Sequence, residues 1–408
     1  MCMNNRWISG NIQKALRKPF VHILFGARQT GKTTLLRSLI PNPALAMNLA
    51  DPEERTRLMA DPGLFRRECE ALPVTSESSV VWVDEAQAVP SVFDAVQVMF
   101  DANPGRWRFV LSGSSARKLR KTGANLLPGR AILHRLYPLV TVERPAPDSD
   151  ESMVLPLPSE SSGRFPPSGL EERLAYGELP GIAMMEEEDR SAVLRSYTTL
   201  HLEEELRRES LVKDWGAFVN FLRLAAAESG KMVNLAAISR EAGVSLPTVK
   251  SYYQLLEDMF MGFSIPAYSG SPRKHLLSTH RFCFFDLGIR HAAAGLTPGP
   301  DIVHADPGVF FEQWVGIELW KRLQYLGEGT LSYFRTKDGS EVDYVIARHD
   351  EIIPIEVKWT ARPSPIDARH LARFVAETPK ARRGFVVCRC PRPQQLCEGI
   401  TAIPWQRL

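Results

Sequence analysis

With 408 residues, 44% of them hydrophobic and 24% charged, the chain has the length of two or three domains and the composition of an ordinary globular protein. A net charge of +3 does not by itself mark a nucleic-acid binder. No apolar run approaches the ~20 residues of a membrane helix, and the polar start MCMNNRWISG lacks the apolar core of a signal peptide, so the expectation is a cytoplasmic chain with no membrane partner.

Six cysteines, Cys2, Cys69, Cys283, Cys388, Cys390 and Cys397, are scattered along the sequence. The last three read C-x-C-x6-C, without the C-x2-C pair usual in zinc sites, and are read as reduced packing thiols.

From Phe20 to Leu139, short β-rich runs alternate with helical stretches, the pattern of a parallel α/β sheet. The apolar run Val21 to Phe25 leads into Gly26-Ala27-Arg28-Gln29-Thr30-Gly31-Lys32-Thr33, and Thr34-Leu35-Leu36-Arg37 opens a helix. This is G-x4-G-K-[ST] in the strand–loop–helix setting that the motif requires. Glycines let backbone N–H groups curl around phosphate oxygens, and the helix N-terminus adds positive potential. Residues Gly26 to Thr34 are therefore expected to cradle ATP. Lys32 would reach the β- and γ-phosphates and Thr33 would give a hydroxyl to Mg²⁺.

The run Ser79-Val80-Val81-Trp82-Val83 is a buried strand ending in Asp84-Glu85. Strand ends at this edge of a parallel sheet line the nucleotide crevice. Asp84 is assigned to Mg²⁺ and Glu85 to polarising the attacking water. A third strand, Phe109-Val110-Leu111, runs into Ser112-Gly113-Ser114. Ser112 or Ser114 either senses the γ-phosphate or only terminates the strand. Phosphoryl transfer gains from an arginine on the transition-state charge. Arg130, in Pro128-Gly129-Arg130, is the first candidate, with Arg117 and Arg120 as competitors, and a finger acting in trans implies a homo-oligomer.

Between Glu143 and Gly169, proline and serine dominate without periodicity, which reads as a linker or insertion. The middle region is helical. Leu235 to Ala242 forms one predicted helix, Gly243 a turn, and Leu246 onward a second helix with Ser245 at its N-cap and Pro247 in its first turn. This is a helix-turn-helix signature. Val249, Tyr252, Leu256 and Met259 form the buried stripe, while Thr248, Lys250, Ser251 and Gln254 form an outward face suited to DNA. Glu257-Asp258 at its end would repel phosphate, and such modules also dock proteins.

Near the C-terminus, EVDYVIA and IIPIEVKW flank a polar turn at His349-Asp350. A hairpin symmetric about that turn sets Asp343 opposite Glu356 and Glu341 opposite Lys358, with all four on one face. Opposed carboxylates are destabilising unless a cation joins them. Two readings stand: a Mg²⁺ site completed by Glu312 and assisted by Lys358, or a cross-strand Glu341–Lys358 ion pair beside a wet sheet edge.

GARQTGKT, SVVWVDEAQ, LSGSS and the PGR…RLYPL segment resemble a bacterial and archaeal group of AAA-type ATPases in which a domain of unknown function follows the ATPase. NLAAISREAGVSLPTVKSYYQLLEDMF, RFCFFDLGIR and EVDYVIARHDEIIPIEVK resemble that second domain. Glu312, Asp343, Glu356 and Lys358 also resemble the site of PD-(D/E)xK nucleases, including archaeal Holliday-junction resolvases. The resemblance implies an α/β chain in parts: an AAA-type P-loop ATPase module at 1–142, a linker or insertion at 143–169, a helical winged-helix region at 170–300, and a restriction-endonuclease-like α/β module at 301–408. It implies ATP and Mg²⁺ as cofactors and a homo-oligomer such as a hexamer. Glu312, Asp343 and Glu356 would hold Mg²⁺, with Lys358 catalytic. A motor or remodeller on duplex or branched DNA is the expected activity. Its rivals are an ATP-gated, Mg²⁺-dependent nuclease and a signalling or defence switch that binds a protein partner.

Overall fold

The computed structural model describes residues 6–75, 78–114, 127–147, 165–198, 212, 214–269, 279–336 and 339–408. Cys2, Arg117, Arg120 and most of the Pro/Ser-rich stretch lie outside the described residues. The chain forms two compact units, Met1–Tyr137 with Asp258–Phe260, and Pro138–Glu257 with Met261–Leu408. The segments 170–300 and 301–408 thus fall mostly within one unit.

The first unit runs α1 (Ser9–Leu16), β1 (Val21–Phe25), α2 (Lys32–Leu39), β2 (Leu45–Asn48), α3 (Pro52–Ala60), α4 (Leu64–Glu70), β3 (Ser79–Asp84), α5 (Ser91–Ala102), β4 (Trp107–Gly113) and β5 (Ala131–Arg135). The strands form one parallel sheet in the order β2-β3-β4-β1-β5. Every residue of β1 is buried, as a strand covered on both faces requires. On α5, Val92, Phe93, Val96, Met99 and Phe100 recur at helical spacing, and they join Val81, Val83, Phe109 and Leu111 in the core. Asp51 caps α3 through Glu53 N, with Pro52 at the first helical position. Register sets Phe25 beside Gly113 and Val83 beside Leu111, so the C-terminal ends of β1, β4 and β3 lie side by side.

The second unit begins with α6 (Leu170–Tyr176), α7 (Pro180–Ala183), α8 (Glu187–Ser196), α9 (Trp215–Ala227), α10 (Leu235–Ala242) and α11 (Leu246–Asp258). An antiparallel pair, β6 (Gly262–Pro266) and β7 (His280–Phe284), follows, and Met232 bridges to Arg281 beside it. The stripe of α11 is buried as its periodicity predicts: Val249, Tyr252 and Leu256 lie in the core, and Met259, just past the helix end, is buried too. Tyr252 meets Phe218 and Phe221 of α9 with ring centroids 4.9 and 5.1 Å apart.

Then come α12 (Leu287–Ala293), α13 (Pro300–Ala305), α14 (Pro307–Leu326), β8 (Thr330–Arg335), β9 (Glu341–Ala347), β10 (Ile352–Val357), α15 (Arg369–Glu377), β11 (Gly384–Cys388), β12 (Gln394–Cys397) and β13 (Ile400–Pro404). The sheet order is β12-β13-β11-β10-β9-β8. Strands β8, β9 and β10 are antiparallel, and β11 lies parallel to β10 after the α15 crossover. Leu371 and Phe374 of α15 join Val342, Val345 and Val386 in the core. The hairpin register is the predicted one, from Ala347 opposite Ile352 to Tyr344 opposite Ile355. The ladder stops there, and Asp343 Oδ2 accepts Val357 N at 2.8 Å instead.

Among the described residues, Cys69, Cys283, Cys388 and Cys390 are buried and unbridged, and burial pushes the thiols of Cys69, Cys283 and Cys388 up to about 12, consistent with packing thiols rather than thiolates.

Candidate functional site

The phosphate loop leaves β1 at Gly26, where the chain approaches its neighbour closely. A Cβ on Gly26 would stand 2.3 Å from the carbonyl oxygen of Leu136, whose N–H donates to Phe25 O. Inside the loop, Thr30 Oγ1 donates to Ala27 O at 2.8 Å. Lys32 is buried, and its Nζ donates to Gly26 O at 2.8 Å and Ala27 O at 3.0 Å, holding the ammonium against the loop. Arg6, unremarked in the motif reading, donates to Thr30 O and to Tyr137 O, both at 2.7 Å. The loop is thereby tied to the two ends of its unit. No pattern around Arg6 announces this, because the contact spans 131 residues of sequence.

Asp84 ends β3, nearly buried, with both oxygens engaged. Thr33 Oγ1 donates to its Oδ2 at 2.7 Å and Ser112 Oγ to its Oδ1 at 2.6 Å. Ser112 in turn accepts from Trp82 Nε1 at 3.1 Å. Glu85 sits at φ 54°, a left-handed conformation that a glutamate rarely adopts without a reason of position. Its Oε2 accepts Gln87 Nε2 at 2.5 Å and Ser114 Oγ at 3.3 Å. Gln87 is a residue the motif reading missed. It is buried, and the backbone of Gly113 packs so close that a Cβ there would fall 2.1 Å from Gln87 Oε1. Ser112 therefore steadies Asp84, and Ser114 steadies the Glu85–Gln87 pair.

Arg130 lies elsewhere. Ala131 pairs with Val21 at the start of β1, so Arg130 stands at the edge of the sheet opposite the phosphate loop, about four residues of strand or ~13 Å away. It bonds Asp101 Oδ1 at 2.5 Å on the surface. The arginine at the loop's own edge is Arg135, level with Phe25 and 6.0 Å from the ring of Phe260. Arg130 thus does not serve the loop of its own chain.

In the second unit, the outward face of α11 divides. Lys250, Ser251 and Gln254 are exposed. Thr248 turns back, its Oγ1 lying 2.8 Å from Ser245 Oγ, and Ser251 Oγ donates to Pro247 O. Glu257 is engaged by Ser264 Oγ at 2.6 Å.

The C-terminal carboxylates do gather, around a different cation from the one the register suggested. Lys358 Nζ bonds Glu356 Oε1 at 2.6 Å, and Glu341 bonds Arg281 of β7, so the expected Glu341–Lys358 pair is not formed. The ladder's early end frees Lys358 to fold back along its own strand. Arg281 also donates to Glu312 Oε1 at 2.7 Å and lies 4.7 Å over the ring of Tyr333. Burial and the Asp343 carboxylate push Glu312 up to about 7 and Glu356 up to about 8, and burial raises Asp343. Glu356 Oε2 is buried and has no hydrogen-bond partner among the described residues. Among the described residues no three acidic, histidine or cysteine side chains converge on one metal position.

Comparisons with known proteins match the chain in three segments. Residues 18–144 match the family described as "AAA domain", residues 168–299 a "Domain of unknown function (DUF8612)" and residues 307–408 a "Domain of unknown function (DUF4143)". The phosphate-loop unit is accordingly an AAA-type P-loop ATPase module. An uncharacterized protein of Mycobacterium tuberculosis is 24% identical over 365 residues, covering 89% of this chain and 76% of the relative. One from Haemophilus influenzae is 23% identical over 356 residues, covering 83% and 82%. A solved Pyrococcus horikoshii structure, a signal transduction ATPase with numerous domains and a tetratricopeptide repeat sensor, aligns with 76% of this chain at 10% identity and a TM-score of 0.26. The chain spans about half, 47%, of that protein, and a score of this size does not establish a shared overall fold. No helix among the described residues is long and apolar enough to cross a membrane.

Proposed function

We propose that the protein binds ATP with Mg²⁺ and hydrolyses it at the edge of the first sheet. The observation that carries this is the joined set Thr33–Asp84–Ser112 beside a G-x4-G-K-T loop. The residues fit the metal: a hydroxyl and a carboxylate already 2.7 Å apart are the donors such an ion takes. Magnesium, when bound with ATP, neutralises charge on the phosphates. Lys32 adds its ammonium, the loop N–H groups orient the phosphates, and Glu85, aimed by Gln87 and Ser114, accepts a proton from water. The test is ATP binding and turnover in wild type, Lys32→Ala and Glu85→Gln. Lys32→Ala should lose both, and Glu85→Gln should bind ATP while turning over ~100-fold or more slowly. Normal turnover in Glu85→Gln removes Glu85 from this role.

A second reading, hydrolysis coupled to duplex or branched DNA by a homo-oligomer, is favoured by α9–α11 with the β6–β7 pair, the element order of a winged helix. Lys250 and Gln254 are exposed on its second helix, and Glu257 is turned aside onto Ser264. The order α14–β8–β9–β10–α15–β11, with carboxylates on β9 and β10, is that of a nuclease-like core. The orphaned Glu356 Oε2 suits a divalent ion held with Glu312 and Asp343. ATPase rates against duplex, forked and four-way DNA at stated salt decide the DNA reading, since affinity varies steeply with salt. No stimulation by any of them refutes it and leaves a protein-partner switch.

A further inference from the structure

The acidic cluster contains a cation of its own. Four carboxylates, those of Glu312, Glu341, Asp343 and Glu356, meet two basic groups, Arg281 and Lys358. Arg281 is buried, comes from β7 rather than from α14 or the sheet that carry the acids, and bonds Glu312 and Glu341 together. A guanidinium is planar, permanently charged and weakly hydrated, which suits it to bridging buried carboxylates. Lys358 accounts for one oxygen of Glu356. The other, Oε2, is buried and bonded to nothing among the described residues. When all four acids are ionised, negative charge exceeds positive, even with Arg335 of β8 paired in register opposite Glu341. One buried acceptor also points to a ligand the side chains do not supply.

A hard divalent ion would take carboxylate oxygens at roughly 2.0–2.2 Å and satisfy Glu356 Oε2. It would do so beside a guanidinium already bonded to Glu312, and two cations in a low-dielectric cluster repel strongly. We propose that Arg281 is an internal stand-in for a divalent cation, so that its ion pairs with Glu312 and Glu341 and the binding of Mg²⁺ or Mn²⁺ at Glu312, Asp343 and Glu356 exclude each other. This rests on the cation reading of the cluster, and it accounts for Glu312 being held on Arg281, apart from Asp343 on Val357 N and Glu356 on Lys358, instead of the three converging on one point.

The test is Mn²⁺ binding to the full chain, without nucleotide, followed by water-proton relaxation and calorimetry. Arg281→Gln should bind Mn²⁺ about tenfold or more tightly than wild type, the size of a typical coupling between exclusive ligands. Asp343→Asn in that background should abolish the gain. Because Arg281→Gln removes a buried charge, its thermal unfolding is measured with and without Mn²⁺. Restoration of the melting temperature by Mn²⁺ supports the substitution of one cation by the other, and its absence in a destabilised variant opposes it. Arg281→Lys, which keeps the charge but loses the fork, should fall between. Equal affinity of wild type and Arg281→Gln at an Asp343-dependent site overturns the role of Arg281 while leaving the cation site standing. No Asp343-dependent binding in any variant overturns the cation site itself, and the proposal with it.

Discussion

Thr33 Oγ1 donates to Asp84 Oδ2 at 2.7 Å, joining the first turn of α2 to the end of β3. Asp84 should therefore matter to the metal more than to the nucleotide. Asp84→Asn is expected to leave ATP affinity in EDTA within about twofold of wild type and to lose most of the gain that Mg²⁺ confers, with turnover falling ~100-fold. Titration of a fluorescent ATP analogue with and without Mg²⁺ separates the two effects.

Gly113 allows Gln87 to reach Glu85. A methyl group added there meets Gln87 Oε1 at 2.1 Å, so Gly113→Ala should displace the amide and cost about 1–3 kcal/mol of stability. Turnover should fall with ATP affinity kept, because the loop is untouched. A denaturant titration beside a steady-state assay tests both halves.

Arg130 and Arg135 stand at opposite ends of β5, and they should part in function. Arg135→Ala is expected to weaken ATP binding by severalfold in dilute protein, where Arg130→Ala should change nothing. If Arg130 acts on a neighbouring copy, its loss appears only in activity that rises with protein concentration. Turnover across a dilution series shows which applies.

Glu318, fully buried on α14, would be raised by burial alone, but Lys321, Arg322 and Thr141 hold it down to about 2. Lys321 lies 3.1 Å away and Arg322 2.7 Å. Glu318→Gln strands both cations and should cost about 3–5 kcal/mol. Unfolding of the second unit, followed by tryptophan fluorescence in denaturant, is the measurement.

Acid should loosen the first unit before it protonates most carboxylates. His22 and His134 sit on neighbouring strands with ring nitrogens 3.2 Å apart. Burial lowers both, His134 to about 4. Between pH 6.5 and 4 the unfolded chain takes up protons that the folded pair refuses, so stability falls as pH falls through that window. His134→Gln should flatten the loss, as melting temperatures at pH 7 and pH 5 will show.

Much of this was legible in the chain itself, where local patterns carry it. The strand–loop–helix at Gly26 to Thr33, the acids after Val83 and the buried stripe of α11 each rest on residues close in sequence. So does the hairpin register, because a symmetric turn fixes its sum. What escaped were contacts made by distant residues. Arg281 enters from another sheet and takes Glu341 away from Lys358; Arg6 reaches Tyr137; Gln87 gains its role only because a glycine on β4 leaves room. Nor does sequence order say to which end of β1 the strand after Arg130 aligns, so whether Arg130 faces the loop of its own chain was not legible.

The hold of Arg6 on Thr30 and Tyr137 has a mechanical meaning. A pull on the lead-in segment, or on the segment that leaves after Tyr137, would be felt first at the peptide that shapes the loop. Trimming the polypeptide to begin at Ile8 would slacken the loop without touching a single residue of its motif.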